Sequence, residues 1–164
     1  MKGCGVKKAR TGRYAVLAAT VALALPAVAQ AGNEVTNWNQ IAMNTVNGQA
    51  PITSAPPAAA VFMAMVQGAV YGAANAVDRH GKPYLINRSF PKASANAAVA
   101  TAAYRVLNAL FPSSGLDSAY AASLAAADDG SKNQGIEVGT MAADAMLAQG
   151  HDGRFLGGTF DPVV

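Results

Sequence analysis

The chain has 164 residues, of which 52% are hydrophobic, 13% charged and 7% aromatic, and 38 are alanine. So much apolar side chain with so little charge excludes a disordered polyelectrolyte, and the length suits one domain. One cysteine and two histidines exclude a disulfide framework and leave almost nothing from which to build a zinc cage.

The net charge of +3 is unevenly placed. Lys2, Lys7, Lys8, Arg10 and Arg13 open the chain without an acid, and Tyr14 to Val28 is an uncharged apolar core containing Pro26. The small-x-small site Ala29-Gln30-Ala31 follows. A basic start, a short apolar core and a cleavable end make residues 1–31 a secretory signal peptide, cleaved after Ala31 or, as a second possibility, after Ala29 in Ala27-Val28-Ala29. The core has fifteen residues, whereas a spanning helix needs roughly 20. Cys4 precedes the core without a lipoprotein cleavage box, so it leaves with the leader. From Gly32 onward seven cations face nine acids, a balance of −2, so the pI of 9.2 belongs to the leader. No basic face remains for nucleic acid, and none is expected as a partner. The expected location is the periplasm or the cell exterior.

Residues 32–150 read as one helical domain. A first helix is expected over Glu34–Val46, with Val35, Trp38, Ile41, Ala42 and Thr45 on one face and Gly48 ending it. After the turn Ala50–Pro57, Ser54 and Pro56-Pro57 signal a second helix reaching Asp78. Ala58 to Val77 carries no charge and meets the length rule for a membrane span. Gln67, Tyr71, Asn75 and the abundance of alanine and glycine favour a central buried helix instead, so no stable span is expected. Ala60, Ala64, Gly68, Gly72 and Ala76 recur every fourth residue as a smooth ridge for a neighbouring helix.

Arg79 to Lys92 reads as a long surface loop. A third helix opens at Ser94 and closes before Pro112, with Val99, Ala102, Ala103, Val106, Leu107 and Leu110 at core spacing. A fourth is expected from Ser113 or Ser114, with Asp117 in its first turn and an inner stripe of Leu116, Ala119, Tyr120, Ser123, Leu124 and Ala127. The turn Asp128-Asp129-Gly130 leads to a fifth helix, Lys132–Gln149, with Ile136, Gly139, Ala143, Met146 and Leu147 inward and Gly150 as its stop. Residues 151–164 read as a Gly-rich extended tail. No strand alternation persists, so the fold class is all-α, a bundle of about five helices.

Candidate chemistry is sparse. His80 near Asp78 and Arg79, and His151 before Asp152, each lack further metal ligands at helical spacing. Asp128-Asp129-Gly130 with Asn133 lacks the alternating oxygens and closing glutamate of a calcium loop, and reads as a turn. Ser113-Ser114-Gly115 reads as a helix cap rather than a nucleophile turn. Gly153 to Gly158 neither follows a strand nor opens a helix, so phosphate cradling is unsupported. Asn87-Arg88-Ser89 is a glycosylation sequon, relevant only on a eukaryotic secretory route. Arg79, Lys82, Arg88 and Lys92 read as solvated charges spread along a loop.

Five blocks in order resemble the N-terminal helical region of the bacterial vanadium-dependent haloperoxidase family, whose superfamily includes the type 2 phosphatidic acid phosphatases. They are Val35 to Ala42 (VTNWNQIA), Met65 to Val77 (MVQGAVYGAANAV), Lys82 to Leu85 (KPYL), Ala103 to Pro112 (AYRVLNALFP) and Leu124 to Gly130 (LAAADDG). The resemblance covers about Glu34 to Gly153 and implies an all-α scaffold, with vanadate or phosphate held later in the chain. In that family a lysine, two arginines, a Ser-Gly-His segment and a final histidine grip the oxyanion. The grip needs several cations and donors around its oxygens.

This sequence departs from that pattern. Ser114-Gly115 is followed by Leu116, Gln67 stands where many relatives have histidine, and Val164 falls before the site motifs are expected. No catalytic, cofactor-binding or metal-binding residue therefore carries over, and vanadate is a cofactor of full-length relatives only. The expectation is an exported, truncated haloperoxidase-like scaffold, inactive alone and partnered by a complementary C-terminal chain or a second copy. The alternatives are a stand-alone periplasmic helical interaction module and a membrane-embedded helix pair using Ala58 to Val77.

Overall fold

The computed structural model describes residues 31–49, 56–112 and 114–151. The expected leader core, the Pro51 turn, Ser54, Ser113 and the Gly-rich segment from Asp152 lie outside the described residues. Five helices follow one another: α1 (Ala31–Asn47), α2 (Pro56–Asp78), α3 (Ala95–Leu110), α4 (Asp117–Ala126) and α5 (Lys132–His151). Among the described residues no strand forms, and the fold is the all-α bundle expected from the sequence.

In α1, Trp38, Ala42 and Val46 are fully buried one turn apart, flanked by half-buried Val35, Ile41 and Thr45. The helix begins three residues before Glu34 and ends where the Gly48 amide donates to the Asn44 carbonyl at 3.0 Å. Pro56 and Pro57 open α2, where a missing N–H costs nothing. Phe62, Met65, Val66, Ala69, Val70, Ala73, Ala76 and Val77 line its buried side. α2 is the one described helix long and apolar enough to cross a membrane by length and composition, and 56% of its apolar window is buried inside the bundle.

The centre of the bundle is α3, a correction to the expectation that α2 would hold that place. Twelve of the sixteen α3 residues are buried, on every side of the helix. Its Ala-rich N-terminal half makes this possible, because small side chains let neighbours approach from several directions. α3 packs most extensively on α5, then on α2 and α1. Against α2 the rings of Phe62 and Phe111 meet edge to face at 5.2 Å and 79°.

The α3–α5 contact is set by two glycines. A Cβ on Gly135 would lie 2.6 Å from the Ser94 carbonyl oxygen, and one on Gly139 would lie 2.5 Å from that of Ala98. The ridge expected on α2 holds only in its second half. Gly72 and Ala76 are buried and Gly68 receives the Met146 methyl, whereas Ala60 and Ala64 are exposed. On α5 the buried line is Gly135, Val138, Gly139, Ala142, Ala143 and Met146, rotated slightly from the expected one, so Ile136 is only half-buried. Gly150 does not stop this helix, which continues through His151; nothing in its backbone geometry forbids a glycine there, only its entropy disfavours it.

Two junctions differ from expectation. α4 opens at Asp117 after Leu116, without a side-chain cap, because Gly115 turns the chain with φ +67°. Leu116, Ser123 and Ala127 are buried along its expected stripe. The loop from Arg79 to Lys92 is long and irregular as expected, but it is anchored. Ile86 is buried, Phe90 packs on the core, and the Phe90 amide donates to the Ala76 carbonyl at 2.8 Å.

Candidate functional site

The entrance to α3 is the one place where described donors converge on an oxyanion, and the oxyanion is internal. Ser94 caps α3: its hydroxyl accepts from the Ala97 amide at 3.0 Å and donates to the Asp129 carboxylate. The other Asp129 oxygen accepts from the Asn96 amide at 3.1 Å. A helix N-terminus favours an anion, and a carboxylate from the Asp128-Asp129-Gly130 turn fills that role. The turn is brought in by paired backbone bonds, Ser94 N–H to the Ser131 carbonyl at 3.0 Å and Ser131 N–H to the Lys92 carbonyl at 2.8 Å. Gly130 is required by this approach, since a Cβ there would sit 2.9 Å from the Ala93 carbonyl carbon. The turn was legible from the sequence. Its partner was not, because Asp129 and Ser94 lie 35 residues apart.

His80 is exposed at the mouth of a cleft of about 160 Å³ lined by Tyr71, Ala74, Asn75, Asp78, His80 and Gly81. Beside it a latch ties the loop to α2. The Gly81 amide donates to Asn75 Oδ1 at 2.7 Å, and the Tyr71 hydroxyl donates to the Lys82 carbonyl at 2.9 Å. Arg79 takes a left-handed φ of 55° to start the latch. His151 is the last residue of α5. Among the described residues no three histidine, cysteine, aspartate or glutamate side chains are grouped to hold a metal.

Arg88 lies over the Phe90 ring at 5.1 Å and borders a shallow hollow of about 410 Å³ with Ile136, Glu137, Thr140 and Met141. Lys92 borders an adjoining hollow with Ser89, Pro91 and Gln134, and Phe90 lines both. On α3, Arg105 pairs with Asp144 at 2.9 Å, both side chains well exposed. Ser114 lies before α4 and does not cap it, its hydroxyl oxygen being buried without a hydrogen-bond partner.

A further cluster joins α3 and α4. The Tyr104 and Tyr120 rings stack in parallel, 4.2 Å apart at 4°. Tyr104 donates to Asp117 at 2.6 Å, and Tyr120 shares a 3.0 Å hydrogen bond with Thr101. The hydrogen bond to Asp117 favours the neutral phenol and raises the Tyr104 pKa above 10.0, with desolvation, the Asp117 charge and Tyr120 adding to it and Arg105 opposing.

The largest contrast on the molecule is one of charge. From Val35 to Val77, which covers most of α1 and all but the last residue of α2, there is no Asp, Glu, Lys, Arg or His. Among the described residues the exposed large hydrophobic ones are Met43 on α1 at 42%, Tyr71 on α2 at 45% and Tyr84 in the loop at 58%. They belong to one surface. Gln67 Nε2 donates to Asn39 Oδ1 at 2.7 Å and Asn39 reaches the Met43 sulfur at 3.9 Å, while the Tyr84 ring stands 3.7 Å from the Cβ position of Gly68. Ala60 and Ala64 extend this surface, exposed, along α2.

The fold and these clusters define the class of protein as an all-α helical bundle with an uncharged apolar face. Compared with known proteins, the chain matches no protein-family model, no curated protein and no solved structure.

Proposed function

We propose that the chain is the exported scaffold part of a haloperoxidase-like or phosphatase-like helical protein, serving by packing rather than by chemistry. The observation that carries this reading is the uncharged face of α1 and α2, with Met43, Tyr71 and Tyr84 exposed on it. A protein interface is depleted in charge at its centre and enriched in tyrosine and methionine. Several residues behind the family resemblance are buried in the core, among them Trp38 and Ala42 in α1, Met65, Val66 and Ala69 in α2, and Val106 and Leu107 in α3. The oxyanion chemistry of such a protein would come from residues other than those described, and no step of it is derived from this bundle.

The test is direct. Purified chain is titrated with orthovanadate by calorimetry and assayed for halide oxidation and phosphate-ester hydrolysis; no uptake and no turnover are expected. Tight orthovanadate uptake overturns the reading. Export is checked by N-terminal sequencing of the secreted product, which should begin at Gly32.

A second reading, a stand-alone helical interaction module, is favoured by the closed core, in which Trp38, Leu107 and Met146 are fully buried. A product that is protease-resistant and soluble without any complementary chain would favour it over the first.

A further inference from the structure

We propose that Met43 is an oxidation site: hydrogen peroxide converts it to methionine sulfoxide ahead of the other described methionines, and the Asn39 side chain receives the new oxygen. This goes beyond the scaffold reading and does not rest on it. Met43 is exposed at 42%, whereas Met65 and Met146 are buried at 3% and 1%, and Met63 and Met141 are half-buried. A thioether reacts with a dissolved oxidant only where its sulfur can be reached, so exposure sets the order among them.

A positioned donor adds to exposure. Asn39 stands one turn before Met43 on α1, and its Nδ2 donates to the Met43 sulfur at 3.9 Å. The same amide is held at its other end, where Asn39 Oδ1 accepts from Gln67 Nε2 of α2 at 2.7 Å. With Oδ1 engaged, the amide turns its N–H toward the sulfur. A thioether is a weak acceptor, so this donor is under-used while the side chain is reduced. In the reaction a sulfur lone pair attacks one peroxide oxygen, and the S–O bond forms as the O–O bond breaks. The proton of the transferred oxygen passes to the departing hydroxide, which leaves as water. Sulfur gives up two electrons and the peroxide takes them. Negative charge grows on the oxygens as their bond breaks, and the Asn39 N–H is placed to meet it. The sulfoxide oxygen is a stronger acceptor than the thioether, and one of the two sulfoxide epimers points it at Asn39. Oxidation thus adds a polar group, without charge, to the face shared with Tyr71 and Tyr84, and a sulfoxide reductase reverses it.

The experiment treats the folded full chain with hydrogen peroxide, quenches it at intervals and follows each methionine by mass spectrometry of chymotryptic peptides. Asn39 to Phe62 carries Met43 as its single methionine. Met43 should gain oxygen first, about tenfold faster than Met65 and Met146. One sulfoxide epimer should predominate, measured by digestion with the two epimer-specific sulfoxide reductases. Asn39→Ala should slow Met43 about threefold, although it uncovers the sulfur, and should even out the epimers. The rates at Met63 and Met141 should not change. Gln67→Ala, which releases the Asn39 amide without removing it, should shift rate and epimer ratio the same way by less. Emission of the buried Trp38 reports that each variant is folded. Oxidation of Met63 or Met141 before Met43 overturns the proposal, as do equal epimers in the wild type. A folded Asn39→Ala chain that keeps the wild-type rate and epimer ratio overturns it too. Should Asn39→Ala not fold, an unaltered Gln67→Ala does so in its place.

Discussion

Trp38 is the sole tryptophan of the chain, and it is completely buried, its indole reaching from α1 to α4. The indole N–H donates to Glu34 at 2.8 Å and to Ser123 at 3.1 Å. Trp38→Ala removes the largest fully buried side chain and should cost about 3–5 kcal/mol in urea unfolding. Ser123→Ala should cost about 1 kcal/mol, since the bond to Glu34 remains; a loss as large as that of Trp38→Ala would contradict this. Tyr104 gives a pH test. Its raised pKa means that the Asp117 bond is intact below the ordinary tyrosine pKa and is lost as pH rises through the folded value. The difference in alkaline absorbance titration between the wild type and Tyr104→Phe should therefore fall above 10.0, and Asp117→Asn should move it back down. The inward place of Trp38 followed from its spacing, whereas its bond to Ser123 crosses 85 residues and no local pattern carries it.

Gly139 and Gly72 separate two kinds of helical glycine. A Cβ at Gly139 would push into the backbone oxygen of Ala98 and the Thr101 side chain, and backbone cannot rotate away. Gly139→Ala should lower stability by about 1–3 kcal/mol, as overpacking does. At Gly72 the nearest atom to an added Cβ is Ala142 Cβ at 3.8 Å, ordinary contact. Gly72→Ala should be neutral or slightly stabilising, since alanine has the higher helix propensity. Thermal unfolding of the pair decides the matter, and an equal loss in both would refute it. Ser94→Ala should cost about 1 kcal/mol through the lost α3 cap. Periodicity identified all five helices and the Ser94 cap. It did not separate the two glycines, because which small residue faces a backbone depends on helix rotation, and Val138 rather than Ile136 turned inward.

The bundle as a whole is held by apolar packing. Arg105–Asp144 is the single ion pair recorded among the described residues, and it is exposed on both sides. Exposed pairs contribute about 0–1 kcal/mol and are screened by salt. The urea midpoint should accordingly change little as sodium chloride is raised; a large fall would show that charge contributes more than the geometry allows. The distribution of charge matters for association instead. Between Glu34 in α1 and Asp78 at the end of α2 no residue carries a charge at neutral pH, whereas α3 to α5 and the loop before α3 carry both signs.

Helix number, helix type and the inward residues of α1, α3 and α4 follow from side-chain spacing, because a 3.6-residue period must turn its apolar side toward the core wherever that core lies. The neutrality of residues 35–77 is likewise a property of composition alone. Tertiary structure decided which helix stands at the centre, that Asp129 closes the N-terminus of α3, and that Met43, Tyr71 and Tyr84 share one surface. Those outcomes depend on helix rotation and on contacts between residues far apart in the chain, and neither is encoded in the period of any single segment.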